Sequence, residues 1–143
     1  MDQLTSRSQQ AIAAAISRAA AQGNPQVEPV HLLLALLTQE GGSAAGLFAT
    51  ANLPTNLIIE QTKDAVDQLP SASGSQVANP GYARATIEVL QRATDLAKEL
   101  SDEFTSSEHL LITLAKVDST AKKILVAQGA KAEILSKAFQ EIR

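Results

Sequence analysis

His31 and His109 are the two histidines of the chain, and each stands near a carboxylate, Glu28 before the first and Glu108 directly before the second. Such pairs could ligate a metal or move a proton near neutral pH. A metal site needs three or four converging ligands, and no ligand triplet is visible in the sequence; cysteine is absent, which removes thiolate sites altogether. Nucleophilic catalysis needs a serine or threonine with a base beside it, and nothing resembling G-x-S-x-G occurs. Gly41-Gly42-Ser43-Ala44-Ala45-Gly46 has the glycine separation of a phosphate loop, but Leu47 and Phe48 stand where lysine and a hydroxyl must meet phosphate and magnesium. That segment reads as a helix breaker. The histidines read as helix-start or packing residues, for a reason found in the next comparison.

The chain matches itself. Val30 to Leu37 laid over Glu108 to Ala115, a separation of 78 residues, pairs the two histidines and three identical leucines. The same offset pairs Ala15 with Ala93, Ala19 with Ala97 and Ile12 with Leu90. After a one-residue gap, Ala44 meets Ala121, Leu47-Phe48 meets Ile124-Leu125, and Asn52 meets Gly129. Two histidines at equivalent places in two copies perform one local role twice, whereas a catalytic pair would have to converge on one substrate.

The elements that position these residues are helices. Ile12, Ala15, Ile16 and Ala19 mark one face at spacings of three and four, predicting a helix from about Thr5 to Gln22 that Gly23-Asn24-Pro25 stops. Glu28-Pro29 starts a second helix whose run from Leu32 to Leu37 is apolar almost all round and must be buried. A short helix over about Ala44 to Ala51 and a fourth, after Asn52-Leu53-Pro54 and reaching about Gln68, complete the first half. The second half repeats the plan near Ala83 to Leu100, Ser106 to Lys116, Ser119 to Gln128 and Ala132 to Gln140, with Gly129 as a stop. Thr105-Ser106-Ser107-Glu108 has the S/T-x-x-E spacing of a capping box, which predicts Thr105 and Glu108 as its partners. Between the halves, Leu69 to Gly81 is rich in Ser, Gly and Pro and reads as a flexible connector.

Composition agrees with a helical, all-α domain. Apolar residues make up 45% of 143, carried by Ala, Leu, Ile and Val with few aromatics, so the core alone must supply stability. The net charge of −3 lacks the clustered Lys and Arg that a nucleic-acid backbone requires, and the Leu- and Ile-rich second helices are unsuited to a groove of DNA. No apolar run approaches the roughly 20 residues of a membrane span, and no basic-then-apolar leader precedes Gln10. A soluble cytoplasmic domain is expected, with neither nucleic acid nor membrane as partner.

Val27-Glu28-Pro29-Val30-His31-Leu32-Leu33-Leu34-Ala35-Leu36-Leu37 and Phe104-Thr105-Ser106-Ser107-Glu108-His109-Leu110-Leu111 resemble the duplicated N-terminal domain of the Clp/Hsp100 ATPases. The resemblance covers essentially the whole chain. Within that superfamily, Glu28 to Leu33 with Gln39 to Ser43 and Gln68-Leu69-Pro70 is similar to the disaggregase branch. The ClpC branch tends to carry Thr-Glu-His in both halves, and here only Ser107-Glu108-His109 approximates it.

The resemblance implies one domain over 1–143, made of two tandem four-helix Clp repeats packed with pseudo-two-fold symmetry: repeat 1 about 1–68, connector about 69–81, repeat 2 about 82–143. It implies a non-catalytic receptor for unfolded or aggregated protein substrates, tethered to the ATPase ring of its own full-length chain, a hexamer. ATP and Mg belong to ATPase domains outside this sequence, leaving no cofactor here, and a co-chaperone of the Hsp70 type works through those other domains. The alternative is an adaptor-docking domain of a ClpC- or ClpA-type unfoldase working with a protease. The substrate-binding positions it implies are Thr5, Leu90, Asp102 and Glu108. Each also has a plainer reading: Thr5 as a helix cap, Leu90 as core or groove, Asp102 as a turn residue and Glu108 as part of the capping box.

Overall fold

The computed structural model describes residues 3–72 and 79–143. Four helices form the first repeat: α1 (Ser6–Ala21), α2 (Pro29–Thr38), α3 (Ala44–Thr50) and α4 (Thr55–Asp67). The second repeats them as α5 (Arg84–Glu99), α6 (Ser107–Leu114), α7 (Thr120–Ala127) and α8 (Ala132–Ile142). Every helix the sequence predicts is present, with ends within a few residues of the expected ones.

Helix ends follow from local chemistry, twice over. In α1 the Thr5 hydroxyl accepts the Ser8 amide at 3.1 Å, satisfying one of the amides a helix start leaves bare. Its far end closes on Gly23, left-handed at φ 70°, with Asn24 N–H reaching back to the Ala19 carbonyl at 2.9 Å. This is a Schellman motif, which returns the last carbonyls to hydrogen bonding. The same closure ends α3 at Asn52, α5 at Ser101 and α7 at Gly129, with positive φ at each. Only two of these four carry glycine, so two L side chains sit in a region that disfavours them.

The repeats are knitted together by their leading segments. Strand β1 (Gln26–Val27), ahead of α2, pairs in parallel with β2 (Gly81–Tyr82), ahead of α5. The symmetric counterpart is the bridge of Thr105 with Leu4, the segments leading into α6 and α1. Matching side chains seal both: Thr86 Oγ1 donates to the Val27 carbonyl at 2.7 Å, and Ser8 Oγ to the Thr105 carbonyl at 3.1 Å. Each repeat therefore starts on the loop of the other.

Burial finishes the join. Helices α2 and α6, buried on nearly all faces as their Leu runs require, meet at the centre, while α3 packs on α8 and α4 on α7. The core that results joins Leu32, Leu33 and Leu36 with Leu110, Leu111 and Leu114 in one cluster, each such leucine contributing about 1.5–3 kcal/mol. The alanines of α1 at 11, 15 and 19 are buried at spacings of four, which lets α1 lie close on α2.

The connector is held at both ends. Ala72 N–H donates to the Gly23 carbonyl at 2.8 Å and Ser71 Oγ to that of Gln22 at 3.0 Å, while Gly81–Tyr82 forms β2. The middle of the Ser/Gly-rich segment, 73–78, lies outside the described residues. No helix among the described residues is long and apolar enough to cross a membrane.

Candidate functional site

The two histidines explain the loops around them. In repeat 1, the Glu28 amide donates to His31 Nδ1 at 2.8 Å, so the imidazole proton resides on Nε2 and is donated to Asn24 Oδ1 at 2.9 Å. Asn24 Nδ2 in turn donates to the Pro70 carbonyl at 3.0 Å, which fixes the amide's orientation. In repeat 2 the Ser106 amide donates to His109 Nδ1 at 2.8 Å, and His109 Nε2 meets Asp102 Oδ2 at 2.8 Å. Asn24 and Asp102 each follow the left-handed residue that ends a helix, seven positions before the histidine they hold. The histidines are thus pins that tie the end of one helix to the start of the next.

This geometry corrects the predicted capping box. The cap of α6 is Ser106 and its partner three residues on is His109, one position later than Thr105 and Glu108. Thr105 is instead buried as the partner of Leu4 and Ser8 in the inter-repeat join. The S/T-x-x-E spacing misled because three consecutive hydroxyl residues, Thr105 to Ser107, offer three registers.

Asp102 does more than turn the chain. Both its oxygens accept from the Arg143 guanidinium, which also lies 4.7 Å from the Phe139 ring centre. Phe139 meets His109 edge-on at 5.5 Å. The Arg143 guanidinium, and after it His109, holds the Asp102 carboxyl below the usual carboxylate range. The hydrogen bond to Asp102 raises the Arg143 pKa, and the charge of Glu108 in the first turn of α6 adds to it. In repeat 1, burial first and then the charge of Arg18 lower the His31 pKa.

Of the four expected site residues, Thr5 and Asp102 flank the segment between α5 and α6, and Glu108 lies in the first turn of α6. Thr5 adjoins the α5–α6 loop through the Thr5 amide, which donates to the Thr105 carbonyl at 3.1 Å, and that loop carries Asp102, while Glu108 follows it in the first turn of α6. A cleft of about 340 Å³ opens there, lined by Gln3, Lys98, Asp102, Glu103 and Thr105 among others. Leu90 is elsewhere: it lies on the buried side of α5, 3% exposed, within the core cluster.

Sequence reasoning missed Phe104. It projects from the loop between Asp102 and Thr105 and is 48% exposed, the most exposed of the large apolar residues among those described. The signal was an aromatic directly after two acids in a loop, where the matching position of repeat 1 is Gln26. Also unforeseen is a cleft of about 820 Å³ between α1 and α2, floored by Ala14, Ala21 and Ala35. Its counterpart in repeat 2 shrinks to about 130 Å³ because Arg92, Glu99 and Thr113 replace those alanines. Among the described residues no group of three His, Cys, Asp or Glu side chains could hold a metal ion.

Fold and site together define a duplicated, all-helical repeat domain whose buried polar residues hold loops in place. The chain belongs to the Clp repeat (R) N-terminal domain family, which matches residues 3–128. It is 43% identical over 142 residues to the chaperone protein ClpB of Propionibacterium freudenreichii, covering 99% of this chain and 16% of that one. The N-terminal domain of Hsp104 from Candida albicans shares the fold with a TM-score of 0.83 at 19% identity, covering 99% of this chain and 91% of that one. A ClpV N-domain in complex with a VipB peptide is similar with a TM-score of 0.72 at 25% identity, covering 96% and 85% respectively. The chain spans about one-sixth of the length of the ClpB relatives it matches.

Proposed function

We propose that this chain is the substrate-binding N-terminal domain of a ClpB-type disaggregase and that it captures exposed apolar segments of misfolded protein at the α5–α6 loop. The observation that carries this reading is Phe104, an aromatic ring left in solvent on a loop pinned by His109, Asp102 and Arg143. A rigid loop presents the ring without ordering cost on binding, and a client's apolar side chain covers it. Glu103 directly precedes the ring in the chain and takes part in none of the ion pairs among the described residues, which favours apolar segments with basic flanks. Thr5 anchors the leading segment against that loop, and Leu90 supports α5 from the core beneath.

Capture is weak by design of area. A contact of about 400 Å² at roughly 25 cal/mol per Å² yields about 10 kcal/mol gross, against an association cost of about 4–15 kcal/mol. Several copies tethered to one hexameric cytoplasmic ring, where ATP and Mg drive threading, raise the effective concentration and restore avidity. The chain itself acts as receptor and not as enzyme.

The test is binding of a permanently unfolded client to the isolated domain and to Phe104→Ser, followed by fluorescence anisotropy. The variant, altered at an exposed position, keeps its melting profile and binds about tenfold more weakly. Equal affinity of the two proteins contradicts the proposal, and tight one-to-one binding of a folded adaptor with no binding of unfolded client assigns the domain to protease adaptor docking instead.

A further inference from the structure

Repeat 2 carries a groove that the capture site does not use. It has a volume of about 770 Å³ and lies where α5, the end of α6, α7 and the start of α8 meet. Its floor is apolar, from Ala115, Val126 and Ala132, and its rim carries Arg92, Lys116, Lys122 and Lys131 against the single carboxylate of Glu133. Arg92 is compensated by Glu88 at 3.1 Å, and Lys122 by Asp118 at 3.1 Å. Lys116 and Lys131 are exposed and take part in none of the ion pairs among the described residues.

The duplication supplies an internal comparison. At the positions of Arg92, Lys116, Lys122 and Lys131, repeat 1 has Ala14, Thr38, Ala45 and Pro54. The fold therefore does not require cations here, and four occur together in a chain of net charge −3. Beyond Val126 the apolar surface continues over α7 to Ala127, again edged by lysine at Lys122 and Lys123.

We propose that this groove docks an acidic protein segment, one that places an aliphatic or aromatic side chain on the Ala115–Val126–Ala132 floor and carboxylates on Lys116 and Lys131. The apolar floor, the carboxylate of Glu133 in the wall and the lack of a lining aromatic for bases to stack on favour a peptide over a nucleic acid. Its volume falls within the range of about 300–1,000 Å³ typical of ligand pockets. The charge preference is opposite to that of the Phe104 loop, where Glu103 directly precedes the ring, so the two surfaces sort different segments.

The experiment is an amide-resolved NMR titration of the domain with a synthetic peptide of alternating Glu/Asp and Leu/Phe, and with its Gln/Asn counterpart. The acidic peptide shifts Val126, Ala132 and their neighbours, and raising salt from about 50 to 300 mM weakens it at least tenfold, since these charges face solvent. Lys116→Glu/Lys131→Glu abolishes the shifts, and the milder Lys116→Gln/Lys131→Gln weakens them, while both variants still bind unfolded client at the Phe104 loop. Equal shifts from the neutral peptide, or none at millimolar acidic peptide, overturn the proposal. Tighter binding of a single-stranded oligonucleotide of equal charge also overturns it.

Discussion

At the scale of single residues, the two histidines show one role in two electrostatic settings. His31 is fully buried against neutral Asn24, His109 against ionised Asp102. For His31 the sign of the pH dependence follows from its lowered pKa. The unfolded chain takes up the proton more readily than the native one, so the stability His31 confers is fully present above its unfolded pKa of about 6.5 and is lost as pH falls through that value toward the lowered native one. His31→Gln should cost about 2–3 kcal/mol at pH 7.5, because it disturbs a buried network that holds the Glu28 amide and Asn24. Urea denaturation of both proteins should show the gap narrowing between pH 7.5 and 5.5; a constant gap would mean that His31 titrates normally. Both histidines were legible as helix-start residues because the repeat pairs them. Their partners were not, since Asn24 and Asp102 act through side-chain geometry that a spacing of seven does not reveal.

At the scale of elements, helices and their stops were the most legible part of the sequence. Apolar spacing gives the helices, and Gly23 and Gly129 mark two of the four left-handed closures. The other two use Asn52 and Ser101, whose composition gives a weaker signal. Comparison within the molecule makes Ser101 a candidate for improvement: Gly23 occupies the equivalent place, and Ser101 at φ 58° is exposed, while the side chains held by Asp102 are those of His109 and Arg143. Ser101→Gly should relieve about 1–2 kcal/mol of left-handed strain, offset in part by the greater freedom of glycine when unfolded. A gain of about 2 °C in thermal midpoint is expected for a net change of about 0.5–1 kcal/mol. An unchanged or lower midpoint would show that the serine backbone is not strained there. The register of the α6 cap escaped the sequence because Thr105, Ser106 and Ser107 are chemically interchangeable, and only the demand of the inter-repeat join for Thr105 selects Ser106.

At the scale of the whole molecule, pseudo-symmetry builds the fold and departures from it provide the surfaces. The repeat alone predicts two four-helix units in contact, but not that each unit begins on the other's loop, because strands of two residues leave no periodic trace. The join brings Thr5 beside the α5–α6 loop that carries Asp102, a proximity that the periodicity of the chain did not show. Leu90 lies in the core where its repeat counterpart Ile12 is only partly buried, while the other buried positions of α5, Thr86, Val89, Ala93 and Ala97, repeat Ser8, Ala11, Ala15 and Ala19 of α1. The repeats differ most at Phe104, at the α1–α2 cleft and at the cationic groove, and a role in binding is assigned to the first and last of these.

Capture at the Phe104 loop is tested most directly by amide NMR of the whole domain, titrated with one client protein in its unfolded and in its native form. Shifts confined to Thr5 and the span from Asp102 to Glu108, seen with the unfolded form alone, are the predicted result. No shifts at millimolar unfolded client, or equal shifts with the native form, would contradict it.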